Sequence, residues 1–98
     1  MNRPIRLHPQ AQMEFDDAIE WYERERRGLG HAFVLRVNEV LNRIRRTPEI
    51  HGRVFEDVRC TRVHRFPYSV YYRIQKDWIE VLSVFHAKRD PRDWQSRV

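Results

Sequence analysis

Seventeen arginines against two lysines, five histidines and a single cysteine bound the chemistry open to this sequence. His8, His31, His51, His64 and His86 share no metal-ligand spacing, and with Cys60 alone there is no zinc motif. No metal and no other cofactor is expected. The three glycines, Gly28, Gly30 and Gly52, do not form a phosphate-cradling loop. No serine stands in a nucleophile-elbow context. What remains is cationic chemistry. A guanidinium grips phosphate bidentately and stays charged at any physiological pH. Arg59, Arg62 and Arg65 fall on one predicted strand at a spacing that alternates faces, so at most two point the same way, and His64 shares a face with Arg62. The group reads either as a solvated strand surface or as a phosphate-binding strip.

The last twelve residues, 87–98, hold Lys88, Arg89, Arg92 and Arg97 against Asp90 and Asp93, with Trp94 among them. Two readings stay open. In one the segment is a loose end with Trp94 packed back on the sheet. In the other it is a binding peptide in which arginine supplies charge and Trp94 supplies stacking area. Because it follows the last predicted strand, its removal is expected to cost the sheet little. His86 is the one side chain beside it that titrates near physiological pH, and acid–base work there needs a partner.

The charge is not spread evenly. Residues 1–58 hold ten arginines and ten acids, whereas residues 59–98 carry the whole net charge of +5. Codon usage accounts for arginine over lysine as well as selection does, but not for this asymmetry. A basic second half points to a polyanion or an acidic partner. Ninety-eight residues make one domain. With 41% hydrophobic and 12% aromatic residues the chain is globular rather than disordered. No run approaches the roughly 20 apolar residues of a membrane span. Met1-Asn2-Arg3-Pro4-Ile5-Arg6 lacks the apolar stretch of a signal peptide. One cysteine suits a reducing compartment, so the expected location is the cytoplasm.

The elements that must position these cations follow from periodicity. Ile5 to His8 alternates as a short strand, and Pro9 opens a helix at the position proline favours. Ala11, Phe15, Ala18 and Tyr22, with Ile19, form its apolar stripe, opposite Glu14, Asp16, Asp17, Glu20 and Glu23. Gly28 and Gly30 are expected in the loop before a second helix starting near His31, with Phe33, Val37, Val40 and Ile44 as its stripe. Arg43, Arg45 and Arg46 suit the negative end of its dipole, and Thr47-Pro48 stops it. Strands are expected over 53–58, 59–66, 68–75 and 78–86, with Pro67 marking a bend. A two-residue turn at Lys76-Asp77 pairs Ile74 with Ile79, Arg73 with Glu80 and Tyr72 with Val81. That register puts Val70, Tyr72, Ile74, Ile79, Val81 and Phe85 on the face that receives the helices. Ser69, Tyr71, Arg73, Glu80, Leu82, Val84 and His86 fall on a second, accessible face. The fold class is α+β: an N-terminal strand, a two-helix hairpin on one face of a mostly antiparallel sheet, and a basic C-terminal tail.

The order of elements, with Phe66-Pro67-Tyr68-Ser69-Val70-Tyr71-Tyr72-Arg73-Ile74, then Asp77-Trp78-Ile79-Glu80-Val81-Leu82-Ser83-Val84-Phe85-His86, then Lys88-Arg89-Asp90, resembles the RelE/ParE superfamily over nearly the whole chain. These are toxins of type II toxin–antitoxin modules, also known as plasmid stabilisation proteins. RelE-like members cut mRNA in the ribosomal A site with basic residues on the strands and after the last strand. By that resemblance Arg62 and Arg89, with His86, are the candidates for nuclease chemistry. Two departures argue against it. Ser69 follows Tyr68 where those enzymes carry an arginine, which removes a cation from the scissile phosphate. Trp94, at the approximate place of a tail aromatic, can be neither acid nor base. The pattern Tyr72-Arg73, Asp77, Ile79 to Leu82, Val84, His86, Arg89-Asp90 is closer to ParE-like members, which inhibit DNA gyrase without known hydrolysis.

The resemblance therefore implies a toxin that binds gyrase, with a RelE-type ribosome-dependent endoribonuclease or an inactive paralogue as the alternatives. The candidate target-binding residues are Arg59, Arg62, Arg65, Arg73, Lys88, Arg89 and Trp94. The expected partner is an antitoxin forming a hetero-oligomer with this chain. An acidic antitoxin segment is expected to cover Met13 and Trp21, which lie off the first helix's apolar stripe.

Overall fold

A computed structural model describes residues 3–98; Met1 and Asn2, the start of the charged N-terminal segment, lie outside the described residues. Strand β1 (Ile5–Leu7) hands the chain to helix α1 (Pro9–Glu25) through His8. The His8 amide donates to Val81 O at 2.8 Å, and its Nδ1 accepts from the Gln10 amide at 3.1 Å. A strand end and a helix cap thus share one residue. Helix α2 (Leu29–Arg46) returns antiparallel. Ala11, Ala18 and Tyr22 from α1 and Phe33, Val37, Val40 and Ile44 from α2 are buried together, as their spacing predicts.

The helix hairpin is tighter than expected. Arg26, Arg27 and Gly28 turn the chain, and Gly28 sits at φ +88°, a conformation that suits glycine. Gly30 is not in the loop but inside α2, where a Cβ would come within 2.7 Å of the Ile19 carbonyl oxygen. The helix starts two residues early because Glu23 of α1 caps it. The Glu23 carboxylate accepts from the Gly28 amide at 3.0 Å and the Gly30 amide at 3.0 Å, placing an anion at the positive end of the α2 dipole.

Strands β2 (Arg53–Phe55), β3 (Val58–Arg62), β4 (Tyr68–Ile74) and β5 (Ile79–His86) complete a five-stranded sheet in the order β1-β5-β4-β3-β2. Only β1, paired with β5, is parallel to its neighbour. The α+β class, with the helices on one face of a mostly antiparallel sheet, is as expected. Two boundaries move. The first predicted strand ends at Phe55, since Glu56 takes a positive φ of 51° to turn into β3. The second ends at Arg62, because residues 63–67 form the turn into β4 and Arg65 has φ +71°.

The β4–β5 register is the expected one from Ile74↔Ile79 to Tyr72↔Val81, and then it slips. Tyr71 pairs with Ser83, so Leu82 is the extra residue of a bulge. Beyond it the faces exchange. Val84 and His86 turn to the helix side, and Phe85 turns to the second face, the reverse of the expected placement.

That second face is not open throughout. Short helix α3 (Arg92–Gln95) lies over it and buries Trp94 to 2% exposure against Val58, Leu82 and Phe85. The Trp94 ring stacks on Tyr71 at 4.2 Å and meets Phe55 edge-on at 5.7 Å. The tail is therefore a second, smaller core and not a free peptide. Among the described residues no helix is long and apolar enough to cross a membrane.

Candidate functional site

The most organised polar cluster is built around Glu14, in α1. Its carboxylate is nearly buried, with 11% of the side chain exposed. The Arg97 guanidinium approaches it bidentately, Nη1 to Oε1 and Nη2 to Oε2, both at 2.9 Å. Arg89 Nη1 donates to Oε2 at 2.7 Å, Ser83 Oγ donates to Oε1 at 2.8 Å, and the Val84 amide adds a longer bond at 3.3 Å. Arg97 Nη1 also donates to Leu82 O at 2.9 Å, so the tail holds the bulge as well as the helix. Burial pushes the Glu14 carboxyl up, but donors Arg97, Ser83 and Arg89 outweigh it and hold its pKa below the usual 4.5. This clamp ties α1, β5 and the tail together through residues up to 83 positions apart.

The clamp changes the standing of several expected site residues. Arg89 is half-exposed, but it is committed to Glu14 and to Asp93 at 3.3 Å, and it lies 4.7 Å over the Phe85 ring. Trp94 offers no stacking surface in this arrangement, because its ring is already stacked and buried. Arg59 is also spent internally. Its Nη1 donates to His51 O at 2.6 Å and to Glu49 O at 3.2 Å, which fixes the α2–β2 connection beside the Tyr72 hydroxyl's bond to Pro48 O at 2.7 Å. Arg73 pairs with Asp57 at 3.2 Å. Arg62, Arg65 and Lys88 are exposed and have no carboxylate partner among the described residues.

Met13 and Trp21 are both exposed, at 62% and 51%, but they do not form one patch. Eight helical residues separate them by about 12 Å along the axis. Trp21 borders a groove of about 270 Å³ with Asp17, Tyr68, Val84, His86 and Arg89. Met13 does not reach it. On its α1 wall Asp17 is the exposed acid, since Glu14 is taken up by Arg97 and Arg89. His86 meets Tyr68 edge-on at 5.0 Å, and its Nδ1 accepts from the Lys88 amide at 3.0 Å, so in the neutral ring the proton sits on Nε2. Burial raises the Tyr68 hydroxyl, and it pushes Tyr71 and Tyr72 up to about 12, so all three stay protonated.

The nuclease candidates are not brought together. His86 and Arg89 border the Trp21 groove on the helix side. Arg62 pairs with Ser69 and Ser69 with Phe85, which puts Arg62 across the sheet from His86. Sequence reasoning missed Glu14, Ser83 and Arg97 as a unit, and it missed Glu23 as a cap. A capping carboxylate seven residues before the amide it serves has no local signature.

Residues 5–91 match the family model described as the ParE toxin of the type II toxin–antitoxin system parDE. This chain belongs to the ParE toxin family. Among solved structures it is similar to a chain described as the chromosomal ParDE TA system from P. aeruginosa, with a TM-score of 0.66 and 15% identity. The match covers 88% of this chain and 97% of that one, and at that identity it speaks for the fold. No curated protein matches. The ParE assignment agrees with the ParE-like side of the resemblance, and it makes this chain the toxin side of a type II module, with an antitoxin as partner.

Proposed function

We propose that this ParE-family protein arrests growth by binding DNA gyrase without cutting nucleic acid, and that a cognate antitoxin neutralises it. The observation that carries the reading is the family match over residues 5–91. The site chemistry supports it. Arg62 stands across the sheet from His86, the Arg89 guanidinium that borders Tyr68 and His86 is neutralised by two carboxylates, and Ser69 stands where the resemblance places an arginine. A nuclease needs a cation and a proton carrier on the same phosphate. Target contact falls to the cations left free at the hairpin end of the sheet, Arg62, Arg65 and Lys88.

The antitoxin segment seated at Trp21 meets that ring with apolar residues and faces Asp17 with a cation. Acidic residues of the same antitoxin reach the arginines elsewhere. Induction in growing cells tests the whole reading. It should bring on the DNA-damage response with intact transcripts. Codon-positioned mRNA cuts with undamaged DNA would favour the endoribonuclease, and high yield with no growth penalty would favour an inactive paralogue.

A further inference from the structure

The turn between β3 and β4 sits beside a concentration of positive charge of which the gyrase reading uses only Arg62 and Arg65. On one side of residues 63–67, an open cleft of about 710 Å³ is lined by Arg43 of α2 with Arg62, His64 and Arg65. On the other side of the same turn, a second hollow is lined by Arg26, Arg36 and, again, Arg65. The one acid in the two linings is Glu39, and Arg36 holds it at 3.2 Å. Arg26, Arg43, Arg62 and Arg65 are exposed, and no carboxylate lies within salt-bridge distance of them among the described residues. Arg65 on the turn, Arg62 at the end of β3, Arg43 of α2 and Arg26 after α1 thus flank the two hollows without an anion of their own, so the free protein holds a field that an external polyanion would relieve.

The backbone adds a second observation. Arg65 sits at φ +71°, in the left-handed region that glycine or asparagine occupies more readily. A long cationic side chain is thus held at the apex of the turn at a conformational cost.

We propose that this arginine cluster binds the phosphodiester backbone of duplex DNA. A protein interface would need a buried apolar or aromatic anchor. Leu29, Ala32, Phe66 and Pro67 give the second hollow an apolar wall, but the exposed large hydrophobics, Met13, Trp21, Leu35, Ile50, Val54 and Val98, line neither hollow. A single strand would need aromatic platforms for its bases. The rings beside the cluster, Tyr22 and Phe66, meet edge-to-face at 4.9 Å and both pack on Phe33, Phe66 edge-on and Tyr22 tilted. Guanidinium groups without a base-reading or stacking surface match phosphates alone, and such contact is independent of sequence. Arg59, grouped with Arg62 and Arg65 on sequence spacing, is excluded by its bonds to backbone carbonyls, and Arg43 and Arg26 take its place. The proposal shares Arg62 and Arg65 with the gyrase reading but is tested apart from it, since the DNA is probed without the enzyme.

Fluorescence anisotropy with a labelled 20-base-pair duplex, titrated from 50 to 300 mM salt, tests it on the full chain. The wild type should bind with a log–log salt slope near −3.6, about −0.9 for each of four phosphates. Arg43→Ala/Arg65→Ala should weaken binding at 100 mM salt by 10- to 100-fold on the order of magnitude, and should lower the slope by about 2. The charge-matched control Arg24→Ala/Lys76→Ala should keep the wild-type slope, and thermal unfolding monitors the fold of both. Equal affinity of wild type and the Arg43/Arg65 variant overturns the proposal. So does tighter binding to a single-stranded RNA of equal length, or to polyglutamate of equal charge, since the second would make the cluster a site for an acidic protein segment.

Discussion

Glu14 decides more about this molecule than any of the arginines around it. Breaking a buried ion pair strands the remaining charge, at a cost of about 3–5 kcal/mol. In Glu14→Gln the stranded group is Arg97, whose side chain is 7% exposed. The sign of the pH effect follows from the lowered pKa. A carboxyl held below 4.5 in the folded chain contributes stability that is fully present above that pH and is lost as pH falls through its folded value. Urea midpoints measured from pH 3 to 7 should fall steeply below about pH 4.5 for the wild type. For Glu14→Gln they should be lower at neutral pH and flatter in acid. An unchanged acid limb in the variant would show that Glu14 is not the titrating group. Arg89→Ala should cost less, about 1 kcal/mol, because Arg89 is half-exposed and Arg97 still satisfies the carboxylate.

Among the elements, the tail carries the largest revision. Truncation after His86 was expected to cost the sheet little because the residues follow the last strand. In the folded chain it removes Trp94 and leaves Glu14 without either arginine. Burial of a tryptophan is worth about 3–5 kcal/mol on replacement by alanine. Against a total of about 5–15 kcal/mol, the truncated chain should show no cooperative thermal transition by circular dichroism. Trp94→Ala should unfold at a lower temperature than wild type but still cooperatively. A truncated chain that melts like the wild type would return the tail to the status of a free peptide. Gly30→Ala belongs to this scale too. Its methyl would meet the Ile19 carbonyl at 2.7 Å, so the helices must part, with an expected loss of about 1–3 kcal/mol in urea unfolding.

What could be read in advance divides at the same level. The stripes of α1 and α2 and the Ile74↔Ile79 register were legible because period and turn length are local. The bulge at Leu82 was not, because the residue that binds its carbonyl, Arg97, lies 15 positions away. The same is true of the site. Arg62 and Arg65 could be picked out as exposed cations from composition and alternation, whereas Arg59 looks identical to them until its carbonyl partners at Glu49 and His51 are known. Trp94 looked like a contact residue because the Tyr71 ring that receives it lies on a face that local alternation left open.

At the scale of the whole molecule, acids gather on α1 while uncompensated arginines gather around the β3–β4 turn. An antitoxin that seats an apolar or basic segment at Trp21 would lose that anchor in Trp21→Ala, which is 51% exposed and so should leave the fold intact. Isothermal titration should show antitoxin affinity falling at least about tenfold, the size of a single buried aromatic anchor. The central claim, a ParE-family toxin that acts on gyrase and not on RNA, meets its most direct test in a purified supercoiling assay. The protein added to gyrase, relaxed plasmid and ATP should block supercoiling and trap cleaved DNA, and antitoxin should reverse the block. Full supercoiling at saturating protein, with mRNA cut when the same protein is added to translating ribosomes, would contradict the account.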